Sequence, residues 1–189
     1  MHADNWANKA KQEGYRTRAV YKLEEILQKT KSLKRSQNVL DLGSAPGGWA
    51  HYIKKKSPNS VVYAIDILDM EAVDGVYFFQ NSIEEIDNID SISSKMGSFG
   101  LVISDIAPNI TGINAIDTEN IYGLNLLTLD TATKYLNKSH GSFIMKTFQN
   151  SMLKNLRKKM ELSFKIVQTF KPAASKKQSG EIFLYGAYK

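Results

Sequence analysis

A chain of 189 residues, 42% of them apolar, is long enough for one domain with a substantial core. It has no cysteine, which removes disulfides, thiolate metal sites and cysteine nucleophiles, and its three histidines (His2, His51, His140) have no metal-ligand spacing, so no metal is expected. The net charge is +6, and no apolar run approaches the ~18 residues of a membrane span.

Met1-His2-Ala3-Asp4-Asn5 lacks the apolar region of a secretory signal. The expected compartment is the cytoplasm or an organelle, with a trimmed mitochondrial-type address left open. Residues 4–12 read as a short polar helix broken at Gly14, and residues 17–27 as an amphipathic helix with Val20, Leu23, Ile26 and Leu27 at helical spacing. Strands and helices then alternate. Strands are expected at 39–42, 61–65, 76–79, 101–104, 142–145, 165–170 and 182–185. Helices are expected at 48–56, 120–136 and 153–162, with a broken helical pattern at 83–96 and a long polar loop at 106–118. The alternation predicts an α/β fold: a mostly parallel seven-stranded sheet, helices on both faces, and an antiparallel last strand. One domain spans 1–189, with a basic helical segment over about 1–35. No long apolar stripe is left after the core is assigned, so a monomer is expected.

Asp41-Leu42-Gly43-Ser44-Ala45-Pro46-Gly47-Gly48-Trp49 ends the first strand in a small-residue turn and opens a helix. Such a turn brings a ligand to main-chain atoms at the carboxyl edge of the sheet, and a Cβ would block both turn and ligand. The glycines at 43, 47 and 48 do not have the G-x-G-x-x-G spacing of a pyrophosphate cradle. They favour a nucleoside without phosphates, such as S-adenosylmethionine (SAM). Trp49 either packs on that ligand or anchors its helix to the sheet.

Four polar residues end strands on the ligand-binding edge: Asp41, Asp66, Asp105 and Lys146. Asp66, after the second strand, suits ribose hydroxyls or a helix cap. Ser104-Asp105-Ile106-Ala107-Pro108-Asn109 sets a carboxylate before a stiff turn, without the aromatic that would stack a base during amine methylation. Lys146 is either a snorkelling lysine or a proton acceptor whose pKa is lowered by burial or a second cation. Lys22 is a candidate cation and Glu181 a candidate orienting group.

Basic residues cluster at Lys9, Lys11, Arg16, Arg18 and Lys22, at Lys29, Lys31, Lys34 and Arg35, at Lys154, Arg157, Lys158 and Lys159, and at Lys171, Lys176 and Lys177. Singly, each is as well read as a solvated face. Together, around a nucleoside site, they favour a polyanionic partner, most simply RNA.

At these residues the chain resembles the FtsJ/RrmJ family of SAM-dependent RNA ribose 2′-O-methyltransferases. The resemblance starts at Gly14-Tyr15-Arg16-Thr17-Arg18-Ala19-Val20-Tyr21-Lys22 and runs through the glycine turn and the Asp105 segment. It closes with Lys146-Thr147-Phe148-Gln149 and Ser179-Gly180-Glu181-Ile182-Phe183. It implies a Rossmann-like methyltransferase fold and a catalytic tetrad of Lys22, Asp105, Lys146 and Glu181. Lys146 would take the proton of a ribose 2′-hydroxyl beside Lys22, with Asp105 orienting it and next to the donor methyl. Glu181 would hold Lys22 or the ribose. Implied SAM contacts are Gly43, Ala45, Pro46, Gly47, Gly48, Trp49, Asp66 and Ile67, and implied RNA contacts are Arg16, Arg18 and Lys22. The family commonly has Gly-Asp after the third strand, whereas this chain has Gln80-Asn81-Ser82, which leaves the adenine to a side-chain oxygen of Asn81 or Ser82. Asp-Leu-Gly-Ser-Ala-Pro-Gly-Gly-Trp is closer to the large-subunit ribosomal RNA (rRNA) enzymes than to the tRNA enzymes. The expected substrate is therefore a uridine of that RNA, within a ribosomal particle. A tRNA ribose methyltransferase and a non-catalytic ribosome assembly factor are the competing readings.

Overall fold

The computed structural model describes residues 3–176 and 178–188. Lys177, in the last basic cluster, and His2 lie outside them. The elements in chain order are α1 (Ala3–Gln12), α2 (Val20–Thr30), β1 (Asn38–Leu42), α3 (Gly48–Lys56), β2 (Val61–Asp66) and β3 (Val76–Gln80). A 3-10 helix (Ile83–Asn88) and the short α4 (Asp90–Ser93) follow. Then come β4 (Leu101–Ser104), α5 (Asn114–Tyr135), β5 (Ser142–Phe148), α6 (Leu153–Ser163), β6 (Ile166–Phe170) and β7 (Glu181–Ala187). No described helix is long and apolar enough to cross a membrane.

The seven strands form one sheet in the order β3-β2-β1-β4-β5-β7-β6. β1 to β5 pair in parallel, and β7 is antiparallel to both of its neighbours. The hairpin expected at the end of the chain is present, but its second strand is internal: β7 inserts between β5 and β6, and β6 forms the edge. The burial patterns follow: β7 is buried almost throughout, whereas β6 and β3 alternate with exposed residues.

Alternate residues of each strand pack into different cores, as a period of two demands. Val39, Leu101, Ile103, Ile144, Phe183 and Tyr185 join α2 and α3 in one cluster. Leu40, Leu42, Val102, Phe143, Met145 and Leu184 join α5 and α6 on the other face. This parity decides where the polar residues go. Asp41, Asp105, Lys146 and Glu181 lie in step with Val39, Ile103, Ile144 and Phe183, so they share the face that α2 covers.

Two expected boundaries move. α5 begins six residues earlier than expected, at Asn114, because buried Asp117 accepts hydrogen bonds from Thr111 N (2.8 Å), Thr111 Oγ1 (2.7 Å) and Gly112 N (3.1 Å) and closes the preceding loop onto its first turn. β5 runs to Phe148, so Lys146 is inside a strand and not at its tip. The parallel ladder to β4 ends at Met145, while the antiparallel ladder to β7 continues through Phe148 opposite Glu181.

Candidate active site

The glycine turn connects β1 to α3 at the carboxyl edge. Gly43 (φ +75°) and Gly47 (φ +90°) both hold left-handed backbone conformations. A Cβ at Gly43 would sit 2.0 Å from Ile106 Cγ1, and one at Gly47 would sit 2.7 Å from Met70 Sδ and 2.9 Å from a guanidinium nitrogen of Arg16. The closest obstacles are therefore the protein's own side chains, packed against the turn.

Arg16 donates to three main-chain carbonyls: Pro46 (2.9 Å), Glu71 (2.7 Å) and Ala72 (2.7 Å). Three of its five N–H donors thereby hold the segment before α2 to the glycine turn and the loop after β2, a commitment beyond the expected phosphate contact. Arg18 donates to Ala174 O (3.2 Å). Lys22 is buried and ion-paired. None of the three expected RNA contacts is an uncommitted surface cation. Trp49 is buried, donates from Nε1 to Ala19 O (2.9 Å) and packs 5.9 Å from the Phe183 ring, which anchors α3, and it also borders a small cavity of the site.

A cleft of about 800 Å³ opens at the carboxyl ends of β1, β2 and β4. It collects Gly43, Ala45, Asp66, Ile67, Asn81, Ser82, Asp105 and Lys146. Asp66 accepts from Ala45 N (2.8 Å) through one oxygen and from Leu68 N (2.9 Å) through the other, which braces the turn and still leaves lone pairs facing the cleft. Asn81 Oδ1 accepts from Ser82 N (2.8 Å), and Ser82 Oγ accepts from Glu84 N (3.2 Å) as the cap of the 3-10 helix. The Asn81 amide is left as a donor. A side cavity of about 140 Å³ adjoins, lined by Thr17, Asp41, Ser44, Pro46, Gly48 and Trp49 together with Asp105. Gly47 borders neither space.

The four tetrad candidates form two ion pairs. Lys22 Nζ lies 2.8 Å from both carboxylate oxygens of Glu181, and Ser175 Oγ donates to that carboxylate at 2.8 Å. Lys146 Nζ lies 3.0 Å from Asp105 Oδ1, off the line of a hydrogen bond, and donates to the Asp105 main-chain carbonyl. Burial pushes the Glu181 carboxyl up, but the Lys22 hydrogen bond and charge, the Ser175 hydroxyl and the Lys146 charge together hold it below the usual glutamate range. Among the described residues, two buried oxygens beside this pair, Asp41 Oδ2 and Ser44 Oγ, have no hydrogen-bond partner, and Asp105 Oδ1 has only its ion pair with Lys146. Asp41 is the residue that strand reading undervalued. Burial, then the charges of Asp105 and Asp66, drive its carboxyl well above the usual range. Its position inside an otherwise apolar strand was the available signal.

Comparison with known proteins identifies the family. The family model for FtsJ-like methyltransferases matches residues 15–189. The "Ribosomal RNA large subunit methyltransferase E" of Dechloromonas aromatica is 37% identical over 97% of this chain and 90% of its own. The protein of the same name from Borrelia garinii subsp. bavariensis is 40% identical over 97% and 95%. A Plasmodium falciparum crystal structure described as a ribosomal RNA methyltransferase superposes with a TM-score of 0.80 at 30% identity, covering 92% of this chain and 97% of that one. Human Methyltransferase-like protein 13, at 12% identity and a TM-score of 0.63, shares the fold. The chain belongs to the FtsJ-like methyltransferase family.

Proposed function

We propose that this protein methylates a ribose 2′-hydroxyl of large-subunit rRNA, with SAM as donor. The observation that carries this reading is the placement of Lys146, paired to Asp105, at the rim of the large cleft, with the Lys22–Glu181 pair on the same sheet face. The relatives' names supply the substrate class.

The residues of the cleft fit SAM. Its volume suits a nucleoside with an amino-acid arm. Asp66 offers carboxylate oxygens for ribose hydroxyls, and Asn81 with Ser82 offers an amide and a hydroxyl to the adenine. The unpartnered oxygens of Asp41 and Ser44, with the Asp105 carboxylate bordering the same small cavity, suit an ammonium group. When bound, the sulfonium supplies an electrophilic methyl. Gly43, Ala45, Pro46 and Gly48 border the space for the arm, and Ile67 lies at the mouth.

A 2′-hydroxyl is a poor nucleophile and must lose its proton as the new carbon–oxygen bond forms. Lys146, once it has released its own proton, takes that of the hydroxyl, and Asp105 fixes the Nζ that receives it. Glu181 compensates buried Lys22, so Lys22 carries no unpaired charge on this face of the sheet. Positioning supplies much of the rate.

The experiment is transfer of labelled methyl from SAM to unmethylated large ribosomal subunits, free large-subunit rRNA and tRNA. Wild type is compared with Lys146→Ala, and the product is mapped. Transfer to a 2′-hydroxyl of large-subunit RNA, lost by about 10²- to 10⁴-fold in the variant while SAM still binds, is expected. Transfer only to tRNA overturns the substrate. Near-wild-type turnover in Lys146→Ala overturns the base.

A further inference from the structure

The three N-terminal cations expected on RNA are committed to the protein itself, which leaves open what grips the nucleic acid. Arg16, Arg18 and Lys22 bond to the fold, and Lys29 pairs with Glu25. On α6, Lys154 and Lys158 stand one turn apart, exposed, and neither has an ion-pair partner among the described residues. Arg157 beside them contacts Thr169 Oγ1 (2.6 Å) and Glu161 (3.7 Å). With Lys159 this turn carries four cations against one acid.

This basic helix is connected to the catalytic cleft. Asn120 borders both the catalytic cleft and a second cleft of about 790 Å³ at the start of α5. Ser151 borders both that cleft and a third, of about 490 Å³, whose wall is Lys154, Arg157 and Lys158. The surface thus runs from Lys146, past Asn120 and Ser151, to the α6 lysines. The middle cleft is partly apolar, walled by Ile116 and Met152, and carries one acid, Glu119. Ile116 is 45% exposed. Apolar surface beside the reaction and cations beyond it match a strand that offers a base first and phosphates next.

Building on the proposed RNA activity, we infer that this surface is the track for the RNA strand flanking the target nucleotide. Lys154 and Lys158 hold its phosphates, and the cleft at Ile116 and Met152 receives an unstacked base. Glu119 disfavours a phosphate in the middle cleft, which places the backbone contacts beyond Ser151.

The test is a paired charge reversal, Lys154→Glu with Lys158→Glu. The control is Lys34→Glu with Lys95→Glu, which lie before β1 and β4 at the amino ends of the strands, away from the site. Affinity for a labelled large-subunit rRNA transcript is measured across salt concentrations, with SAM affinity and methyl-transfer KM and kcat alongside. The α6 pair is expected to weaken RNA binding about tenfold or more, and to flatten the salt dependence by about 1.4 in slope for two lost single-strand phosphate contacts. KM for RNA rises while kcat and SAM affinity hold. Equal loss in the control pair, or unchanged RNA affinity in the α6 pair, overturns the track. If wild type binds RNA but transfers no methyl, the proposed reaction fails while the binding comparison still decides the track.

Discussion

Lys146 and Glu181 are diagonal neighbours on one face of the β5–β7 ladder. Lys146 stands opposite Phe183, and Glu181 stands opposite Phe148, two positions along. Diagonal pairs on one face lie within reach of long side chains. The lysine charge therefore acts on a carboxylate that already holds Lys22, and the two ion pairs behave as one cluster.

Glu181→Gln tests that cluster. The substitution leaves Lys22 buried without a compensating charge, which costs about 3–5 kcal/mol when a buried pair is broken. The carboxyl is held below its ordinary value in the folded protein. Its contribution is present above the unfolded pKa, near 4.5, and is lost as pH falls through the lower folded value. Thermal melts from pH 7 down to pH 3 should show the variant less stable at neutral pH and the gap closing on acidification. A gap that does not change with pH would show that the charge pair is not the cause.

Arg16→Lys tests whether the Arg16 fork braces the glycine turn. A lysine keeps the charge but cannot span three carbonyls with a planar fork. The expected result is a loss of about 2 kcal/mol in stability and weaker SAM binding. The salt dependence of RNA binding should hold. Unchanged melting and unchanged SAM binding would show that the three carbonyl bonds do not hold the turn in place.

Much of this site was legible before the coordinates. Strand periodicity, extended one residue past β4, already puts Asp105 in step with Ile103, and Lys146 in step with Ile144. The amphipathic pattern of α2 turns buried Lys22 toward the same layer. The commitments of Arg16 and Trp49 were not legible, because both bond to main-chain carbonyls: Arg16 over 30 to 56 residues, and Trp49 over 30. Carbonyl oxygens exist at every position and leave no mark in a side-chain pattern. The early start of α5 was hidden for a related reason. Asn114 to Glu119 reads as a polar loop until the Asp117 carboxylate is seen to gather Thr111 and Gly112.

Asp41→Asn is expected to stabilise the protein at neutral pH. Burial, then Asp105 and Asp66, raise the folded carboxyl well above its ordinary value of 3.8. The unfolded chain ionises above that value while the folded chain resists, so stability is fully present below it and is lost as pH rises toward the folded pKa. The amide removes this loss. A gain of about 1 kcal/mol raises Tm by about 2–4 °C for a chain of this size. Melts at pH 7 and pH 3.5 should show the gain at the higher pH alone. A variant less stable at pH 7 would mean that Asp41 is ionised in the fold.

Asp117→Ala addresses the loop between β4 and α5, which carries Pro108 and Asn109 on the wall of the catalytic cleft. Asp117 accepts the amide and hydroxyl of Thr111 and the amide of Gly112, and the Thr111 bonds are the main reason its carboxyl lies below the usual range. Hydrogen exchange at the Thr111 and Gly112 amides should lose protection in the variant, while amides of β4 and β5 keep theirs. Because Asp105 is anchored by its strand, SAM affinity should change little. The rate of methyl transfer should fall more than tenfold if the loop holds the acceptor in line, a loss of about 1.4 kcal/mol in transition-state stabilisation. Asp117→Asn can still accept through its amide oxygen and should recover part of both signals. Full activity in Asp117→Ala, with exchange at Thr111 accelerated, would show that the ordered loop is not needed to position the acceptor.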